Sequence, residues 1–448
     1  MKLCILGCGL RTPLLLHGLV HSGLPLREIA LYDVDRKHST MMATVGASLC
    51  QRPEIQIHEI VDIEHAIEGS RFVISSIRVG DIKMRAFDEG LALECGFAGQ
   101  ETTGPAGFAM ALRTIPVALA HARLVEKLAP KAWIINFTNP AGIITQAISA
   151  HTGARVIGIC DTPAELFLQI AHALGEPLAD VECEYFGLNH LGWVRSVRVR
   201  GVEVSDQLFN RDGVLERLYP ADLFDASFLC TLQLIPTEYL FFYYNAQRAR
   251  ENQRRAGATR GEELMSLNAK VWKSLAKTED SQTALGEYRH YLNRRNSSYM
   301  RLESKGESAF DIPEADWDPF EAATGYHRIA VEALRALMSS EPRSMVLNVP
   351  NGTAISGLTS QDVVELRCQV DQNGPRPLAV GVLPEAVQGL VLSVKHYERL
   401  TIRAAVEKRL DIATLALTMN PIVGNWGASH NFLIRLMQAD AQTFADFC

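Results

Sequence analysis

The chain has 448 residues, 47% of them hydrophobic and 21% charged, and a formal net charge of −7 at pH 7. A chain of this length is longer than a single hydrophobic core usually supports, so we expect a globular protein of two domains. Its net negative charge does not suggest a basic surface, so we do not expect it to bind nucleic acid. With no secretion signal, no uninterrupted apolar run of ~20 residues and no CxxC pair among nine cysteines, the sequence indicates a cytoplasmic protein with reduced thiols and no membrane partner.

The first predicted element is an apolar strand over Lys2–Leu6, followed by a glycine turn and a helical pattern over Leu14–Val20. In this turn, GCGLRTP, the glycines Gly7 and Gly9 would let backbone N–H groups approach a pyrophosphate at the helix start. We therefore take Gly7, Gly9 and Thr12 as candidate cofactor-binding residues. A GxG without a third glycine is a weak signal taken alone.

A second strand, Glu28–Tyr32, supports the same interpretation because it ends at Asp33. An acidic residue at this position binds the ribose hydroxyls of a dinucleotide and disfavours the extra phosphate of NADP. Asp33 is equally placed to cap the helix that follows at Arg36. The glycine turn upstream favours the ribose role, and with it NAD as the cofactor.

Strands and helices continue to alternate along the first half of the chain. The further predicted elements are helix Lys37–Cys50, strand Ile55–Glu59, helix Ile63–Ala66, strand Phe72–Ser76, helix Phe108–Leu128, strand Trp133–Phe137, strand Val156–Ile159 and strand Val181–Phe186. This βαβ rhythm predicts an α/β protein with an N-terminal, doubly wound, Rossmann-type sheet.

Beyond Trp193 strands and helices no longer alternate regularly. Residues Val194–Val204 alternate like an antiparallel hairpin with Gly201 at its turn, and long helical patterns follow, including Ile402–Leu417 and Asn431–Ala439. We therefore expect an NAD-binding domain over residues 1–190 and a C-terminal mixed α+β domain over residues 191–448.

Polar residues follow several of the predicted strands. Arg85 lies beyond strand Phe72–Ser76, where a cation suits an anionic ligand, although composition alone favours an ion pair with Asp88 or Glu89 on a helix surface. Asn139, in NFTNPAG, is presented at a turn by the following proline, where it would bind a ligand or cap a helix. The polar, glycine-rich loop GQETTGPAG is a further candidate ligand-binding segment.

Three side chains with metal-binding or acid–base chemistry lie between Val156 and Trp193. Cys160 and Asp161 follow a buried strand, and His190 follows Asn189. One cysteine and one histidine do not make a structural zinc site, but two protein ligands leave open positions for water or substrate. The residues alone also allow a buried cysteine, a helix-capping aspartate and a packed histidine.

In chain order the motifs are GCGLRTP, IRVGDIKMRAFDE, GQETTGPAG, NFTNPAG, GICDTP, FGLNHLGW and IPTEYL, with PNGTAI and NGPRPLAVGVLP downstream. Their order and spacing resemble glycoside hydrolase family 4, the NAD- and manganese-dependent 6-phospho-glycosidases and their relatives. The resemblance runs nearly from end to end. The glycine turn departs from the family pattern, which usually has three glycines, a serine and a longer run to Thr-Pro, and we expect this to alter cofactor affinity rather than cofactor identity.

The resemblance implies a role for each matched residue. Cys160 and His190 match the ligands of Mn²⁺, and Tyr239 in IPTEYL matches the base that removes the C2 proton. Asp161 matches the acid that protonates the leaving oxygen. The implied reaction oxidises C3, removes the C2 proton, eliminates the aglycone, adds water and reduces C3 again, so NAD is regenerated in each turnover.

The implied substrate is a phosphorylated disaccharide or glucoside. Asn139 matches the family's sugar-binding asparagine, and Arg85 and Arg260 match arginines associated with the sugar 6-phosphate. The Cys-Asp pair and the Gly-Trp after Asn-His resemble the 6-phospho-α-glucosidase branch, whereas β-specific members usually carry asparagine after the cysteine. The family likeness also suggests a homodimer or homotetramer.

Three alternatives stay open from the sequence. The first is a 6-phospho-β-glucosidase of the same family. The second is an NAD-dependent 2-hydroxy acid dehydrogenase, which shares the doubly wound fold and would accumulate NADH with its product. The third is a cofactor-binding regulator, against which the intact Cys160, Asp161, His190 and Tyr239 argue.

Overall fold

The computed structural model describes residues 1–49, 52, 54–210, 213–219, 222–277, 280–305 and 318–448. Its strands are β1 Lys2–Leu6, β2 Glu28–Tyr32, β3 Gln56–Glu59, β4 Ser70–Ser75, β5 Trp133–Asn136, β6 Arg155–Gly158, β7 Val181–Leu188, β8 Leu191–Val199, β9 Val202–Glu203, β10 Ile235–Pro236, β11 Arg343–Pro350, β12 Val363–Asp371 and β13 Gly374–Pro377.

The helices occupy the intervals between these strands and most of the C-terminal third. They are α1 Thr12–Val20, α2 Arg36–Leu49, α3 Ile63–Ile67, α4 Asp81–Glu94, α5 Gly104–Leu128, α6 Ala141–His151, α7 Thr162–Leu174, α8 Ser205–Asn210, α9 Ala226–Leu232, α10 Phe241–Tyr244, α11 Ala246–Ala256, α12 Arg260–Leu275, α13 Ser281–Ser297, α14 Arg301–Ser304, α15 Tyr326–Ala336, α16 Glu385–Glu407, α17 Leu410–Met419 and α18 Trp426–Ala439.

Within the described residues, thirteen strands form one sheet. Along the sheet the order is β10-β8-β7-β12-β11-β6-β5-β4-β1-β2-β3, with β9 paired to β8 and β13 to β12. Strands β1 to β6 are parallel and follow the doubly wound order 3-2-1-4-5-6, which changes direction between β1 and β4. The predicted Rossmann-type fold is therefore confirmed, and its carboxyl edge is where ligands of such sheets bind.

The parallel strands form because their residues are apolar on both faces. Leu3, Cys4 and Ile5 of β1 are fully buried, as are Val73 and Ile74 of β4, which pairs with it. Burial on both sides produces a nearly continuous apolar run rather than an alternating one. These runs explain why the strands of the first half are visible in the sequence.

Helix α5 is long and apolar enough to cross a membrane by length and composition alone, but 67% of its most apolar window is buried inside the fold. Arg113 is the first charged residue of α5, and it forms ion pairs with Asp88 of α4 and with Asp440. Residues of the fold thus cover both the apolar surface and the charge, and α5 is a core helix of this protein.

Antiparallel strands of the second half extend the same sheet. The predicted hairpin over Val194–Val204 is confirmed, since β8 pairs with β9 across the turn at Arg200 and Gly201. The domain division near residue 190 stays a prediction. That position lies in the turn between β7 and β8, where Leu188 pairs with Leu191.

Helices α1, α5 and α18 begin earlier than predicted, and one predicted helix is interrupted. The single helix expected over Ile402–Leu417 is wrong, because α16 ends at Glu407, Lys408 adopts the left-handed conformation (φ 54°) and α17 begins at Leu410. The pattern in the sequence continues through this break because both helices bury apolar residues at helical spacing. Helix α2 was predicted to end at Cys50, which lies outside the described residues.

Candidate active site

The two glycines of the first turn have different surroundings. Gly7 has a left-handed backbone (φ 90°), and a Cβ there would lie 2.5 Å from the carbonyl oxygen of Ser76, just after β4. Gly9 is exposed, and a Cβ there would meet no atom within 4 Å. Gly7 is therefore required by packing at the point where the strand order reverses, whereas the backbone of Gly9 borders open space that a ligand would enter.

Cys8, the residue that departs from the family's glycine pattern, is buried beneath the turn. Its Sγ donates a hydrogen bond to the carbonyl oxygen of Tyr32 at 3.5 Å. The side chain thus points into the interior. A cysteine at this position leaves the open side of the turn, at Gly9, unchanged.

Asp33 holds the glycine turn rather than a helix. Its Oδ2 accepts the N–H of Cys8 at 2.6 Å and its Oδ1 accepts the N–H of Asp35 at 2.8 Å. Helix α2 is capped instead by Asp35, which accepts the N–H of Lys37. The capping interpretation of Asp33 is therefore wrong. The partly exposed carboxylate also keeps lone pairs for ribose hydroxyls, and that role stays a prediction, as does the role of buried Thr12 at the start of α1.

Cys160 and His190 are 30 residues apart in sequence and adjacent in space. Cys160 follows β6, and His190 lies in the turn between β7 and β8 with a left-handed backbone (φ 59°). The Sγ of Cys160 is 3.4 Å from Nε2 of His190. The sheet therefore brings together the two side chains that the sequence predicted as metal ligands.

Thr102, in the GQETT loop, fixes the tautomer of His190. The Oε1 atom of Gln100 accepts the backbone N–H groups of Thr102 and Thr103, so it must be the amide oxygen, and the Thr102 hydroxyl donates to the same atom. Because that hydroxyl proton is used, Thr102 Oγ1 accepts the Nδ1–H of His190 at 2.6 Å. The lone pair of His190 is then on Nε2, facing Cys160, as in metal-binding histidines.

The donor set fits a single cation. Metal–sulfur and metal–nitrogen bonds of about 2.3 and 2.1 Å place two ligands of one ion about 3.1 to 3.6 Å apart, and the observed separation is 3.4 Å. Within the residues that the structure describes, no cluster of three or more His, Cys, Asp or Glu forms a closed metal site. Two protein ligands would thus leave positions open for substrate and water.

Burial sets the protonation of both side chains in the absence of a cation. It lowers the pKa of His190 to about 3, so the imidazole is neutral at physiological pH. It raises the pKa of Cys160, helped by the negative charges of Glu365 and Asp161. A neutral imidazole is ready to bind a metal, whereas the thiol needs a bound cation to lose its proton.

Asp161 and Tyr239 border the same pair. Asp161 precedes α7, but its carboxylate makes no capping hydrogen bond, so the interpretation as a helix cap is wrong. The ring of Tyr239 stacks on the ring of His190, with centroids 3.7 Å apart and planes inclined by 5°. Burial raises the pKa of Tyr239, and its hydrogen bond with Tyr299 acts in the opposite direction. The hydroxyl of Tyr299 in turn donates to Glu238 at 2.9 Å.

Asn139 follows β5 and makes no side-chain hydrogen bond with the residues that the structure describes. Helix α6 begins at Ala141 and has no side-chain cap, so the capping interpretation of Asn139 is wrong as well. Its amide is thus free to bind a polar ligand.

The two predicted phosphate-binding arginines already have acidic partners. Arg85 forms ion pairs with Glu89 at 2.8 Å and Glu101 at 2.9 Å, and Arg260 forms one with Glu263 at 2.6 Å. Burial acts to lower the pKa of Arg85, but the two carboxylates outweigh it and raise the pKa. The Arg85–Glu89 pair is buried, so the interpretation of a surface ion pair is wrong, and the phosphate role of both arginines stays a prediction.

Several residues of the site were not singled out from the sequence. Glu365 of β12 is buried and accepts hydrogen bonds from Tyr185 at 2.7 Å, Asn189 at 3.0 Å and Asn348 at 2.8 Å. Thr102 lay inside a quoted motif, but nothing in the motif indicated its contact with a histidine 88 residues away. Glu365 carried no signal at all, because its partners come from three other segments.

Comparisons with known proteins agree with these motifs. The sequence model described as Family 4 glycosyl hydrolase matches residues 2–176, and that of the Family 4 glycosyl hydrolase C-terminal domain matches residues 185–423. A probable 6-phospho-beta-glucosidase of Bacillus subtilis is 30% identical, with 98% of this chain and 96% of that protein covered. The phospho-alpha-glucosidase PagL of Clostridium acetobutylicum is 28% identical, covering 98% and 97%.

Among solved structures, the 6-phospho-beta glucosidase of Thermotoga maritima with manganese, NAD⁺ and glucose-6-phosphate superimposes with a TM-score of 0.81. It is 25% identical in sequence, and 99% of each chain is covered. Both the fold and the full length of the chain are thus shared with this enzyme.

Proposed function

The chain belongs to glycosyl hydrolase family 4, and from this we propose that it hydrolyses 6-phosphorylated glucosides with the help of NAD and a divalent metal ion, Mn²⁺ by preference. The observation that carries the proposal is the 3.4 Å approach of Cys160 Sγ to His190 Nε2 at the carboxyl edge of the sheet, with Tyr239 stacked on the imidazole. A partly buried thiol and an oriented, neutral imidazole are the donors such an ion needs.

Each cofactor has matching residues. Gly7, Gly9, Thr12 and Asp33 would hold NAD at the point where the strand order reverses, and Cys160 with His190 would hold the metal ion. When bound, NAD would supply a hydride acceptor and donor for C3 of the sugar, and the ion would polarise the C3 oxygen and so acidify the C2 proton.

The remaining chemistry belongs to side chains of the protein. Tyr239 takes the proton from C2, and its position is fixed by the stacking on His190 and the hydrogen bond with Tyr299. Asp161, whose carboxylate caps no helix, gives a proton to the glycosidic oxygen as that bond breaks. Water then adds across the double bond, and C3 is reduced again. One water is consumed, and no reduced cofactor accumulates.

The carboxylate of Asp161 also indicates which anomer the enzyme cleaves. We propose the α-glucoside, because a carboxylic acid at position 161 directly follows the metal-binding Cys160, as in the family's 6-phospho-α-glucosidases. A 6-phospho-β-glucosidase is the alternative, and named relatives of both kinds are similar to this chain over nearly its full length. Asn139 is proposed to bind a sugar hydroxyl, with Arg85 and Arg260 near the 6-phosphate.

One contact argues against a 2-hydroxy acid dehydrogenase. Catalysis in that class uses a histidine paired with an aspartate, whereas the partner of His190 Nδ1 is the hydroxyl of Thr102. A dehydrogenase would also release NADH in proportion to its product. Absorbance at the NADH band during turnover therefore separates the two reactions.

The direct test is hydrolysis of p-nitrophenyl α- and β-glucoside 6-phosphates, with NAD and Mn²⁺ each omitted in turn. We expect cleavage of the α-anomer only when both are present, and loss of cleavage in Cys160→Ser. Activity that survives chelation, or that Cys160→Ser leaves unchanged, contradicts the metal assignment.

We also propose that the enzyme is a cytoplasmic homodimer or homotetramer that acts on a phosphorylated disaccharide or glucoside. The named relatives are bacterial phosphoglucosidases, which supports the phosphorylated substrate. Sedimentation equilibrium of the full chain measures the subunit count.

A further inference from the structure

Two arginines near the candidate site have no acidic partner. Arg11, just before α1, holds its guanidinium carbon 3.6 Å from the centroid of the Tyr326 ring. Arg295 lies near the end of α13. Among the residues that the structure describes, no carboxylate lies within 4.0 Å of either guanidinium, unlike those of Arg85 and Arg260.

Helix α13 brings the two arginines to one place. The hydroxyl of Tyr288 on this helix donates to the carbonyl oxygen of Leu10, next to Arg11, at 2.6 Å. One helical turn beyond Tyr291, the carbonyl oxygen of Arg295 accepts a hydrogen bond from Arg260 at 2.6 Å. The helix is thus tied at one point to the glycine turn and at another to a predicted phosphate-binding residue.

The electrostatic effects agree with this placement. Burial lowers the pKa of Arg11 to about 10, and the positive charge of Arg295 contributes in the same direction. Burial raises the pKa of Tyr291, while the charges of Arg295, Arg11, Arg260 and Arg85 all act to lower it. All four guanidinium groups are thus close enough to this phenol on α13 for their charges to act on it.

The cluster borders the reaction site. Arg11 follows β1 in the same turn as Gly9, and Cys160 follows β6, so both lie at the carboxyl edge of the same parallel sheet. The charges of Asp161 and Glu101 also act on Arg11. An anion bound by Arg11 and Arg295 would thus belong to a molecule at the edge that carries the predicted metal ligands.

Two neighbouring cations that form no ion pair are costly in a partly buried site unless an anion joins them. A phosphate monoester carries about −1.5 to −2 charge at pH 7, and guanidinium groups match its oxygens with paired N–H donors. We propose that Arg11 and Arg295 bind the phosphate of the substrate, and that this pair, rather than Arg85 and Arg260 alone, selects phosphorylated over neutral glucosides. The proposal rests on the function proposed above.

A second source of phosphate is the pyrophosphate of NAD. The substrate is the better match, because the backbone N–H groups at the start of α1 and the open side of Gly9 are available for the pyrophosphate. Arg295, by contrast, lies beside Arg260 on the C-terminal half of the chain.

Binding experiments on the full chain separate these sources without requiring turnover. Glucose 6-phosphate, glucose and NAD are titrated calorimetrically into the wild type, Arg11→Gln, Arg295→Gln and the surface control Arg254→Gln. The sugar titrations are made with NAD and Mn²⁺ present. We expect each of the two site variants to raise the Kd of glucose 6-phosphate at least about 10-fold, the Kd of NAD to change less than about 2-fold, and the control to match the wild type.

Arg11→Lys and Arg295→Lys keep the charge and lose the planar pair of donors, so we expect an intermediate loss of affinity for glucose 6-phosphate. Circular dichroism shows whether each glutamine variant folds. If one does not, the lysine variant at that position takes its place in the titrations. Loss of NAD affinity with unchanged glucose 6-phosphate affinity contradicts the proposal and assigns the pair to the cofactor. Equal affinity of the wild type for glucose and glucose 6-phosphate contradicts it too.

Failure of the proposed function has a different signature. A wild type that binds glucose 6-phosphate through Arg11 and Arg295, but leaves every 6-phosphoglucoside intact, refutes the hydrolase and keeps the phosphate site. A wild type that hydrolyses these substrates while both glutamine variants keep its Kd for glucose 6-phosphate refutes the phosphate site and keeps the hydrolase.

Discussion

Gly7 and Gly9 stand two residues apart in the turn between β1 and α1, and their surroundings differ. Only the packed structure shows that Gly7 lies against the backbone after β4 and that Gly9 borders open space. A glycine motif predicts a tight turn, but it does not tell which glycine touches the protein and which faces a ligand.

Substitution by alanine separates the two roles. Gly7→Ala places a methyl group 2.5 Å from a carbonyl oxygen and forces a side chain into the left-handed region, so we expect a loss of more than about 1 kcal/mol of stability and a lower melting temperature. For Gly9→Ala we expect an unchanged melting temperature and weaker NAD binding, by about 10-fold. Thermal denaturation and NAD titration of both variants provide the measurements; a destabilised Gly9→Ala with wild-type NAD affinity contradicts this account.

Thr102 provides a second test at the scale of single residues. Thr102→Val keeps the shape of the side chain but removes the acceptor that orients His190, so we expect Mn²⁺ affinity to fall about 10- to 100-fold. Thr102→Ser keeps the hydroxyl and serves as the matched control. Mn²⁺ binding, followed by electron paramagnetic resonance, distinguishes them, and equal affinity of the valine variant and the wild type argues against the assigned tautomer.

The strands themselves show which elements can be predicted from a sequence. Strands β1 to β6 are short apolar runs bounded by turn residues, and their parallel order follows from the helices between them. Strand β10 has only two residues, and β11 and β12 reach β6 and β7 from more than 150 residues away in the chain. Their pairing is non-local, so no pattern within one segment indicates that one sheet runs through both halves.

The turn that carries His190 depends on such non-local pairing. Glu365 of β12 accepts hydrogen bonds from Asn189 in that turn, from Tyr185 of β7 and from Asn348 of β11. Three elements are thus held by one buried carboxylate. The position of the metal ligand is set by the sheet as much as by the residues beside it.

Replacing Glu365 tests this junction. Glu365→Ala leaves three donors without this acceptor, and for the two buried ones, Tyr185 and Asn348, we expect a cost of about 1 to 3 kcal/mol each. We therefore expect a markedly lower melting temperature and weaker Mn²⁺ binding. Glu365→Gln is the control, since its amide oxygen still accepts from both asparagines and Tyr185 can turn its hydroxyl to accept. Alanine and glutamine variants of equal stability speak against a role for this junction.

At the scale of the whole molecule, one buried carboxyl should make stability depend on pH. Burial raises the pKa of Glu238 to about 7, against 4.5 for an ordinary glutamate. Between these values the folded protein holds a proton that the unfolded chain releases, so stability is lost as the pH rises through this window. The raised pKa corresponds to at most about 3 kcal/mol.

Glu238→Gln removes this titration while keeping an acceptor for Tyr299 and Thr162. We expect the metal-free variant to become more stable relative to the wild type as the pH is raised from 5 to 8. Melting temperatures of both proteins across this range, measured with a chelator, provide the comparison. A constant difference between the two proteins contradicts the assigned pKa.

The reaction scheme as a whole depends on a C2 proton that leaves the sugar and is replaced from solvent. Cleavage of p-nitrophenyl α-glucoside 6-phosphate in D₂O, with NAD and Mn²⁺, therefore tests the central claim most directly, with the glucose 6-phosphate product analysed by mass spectrometry and proton NMR. We predict one deuterium at C2 of the product, because elimination and water addition exchange that position. Product that keeps its C2 protium would show that the bond is broken by direct displacement and would contradict the roles given to Tyr239, Cys160 and His190.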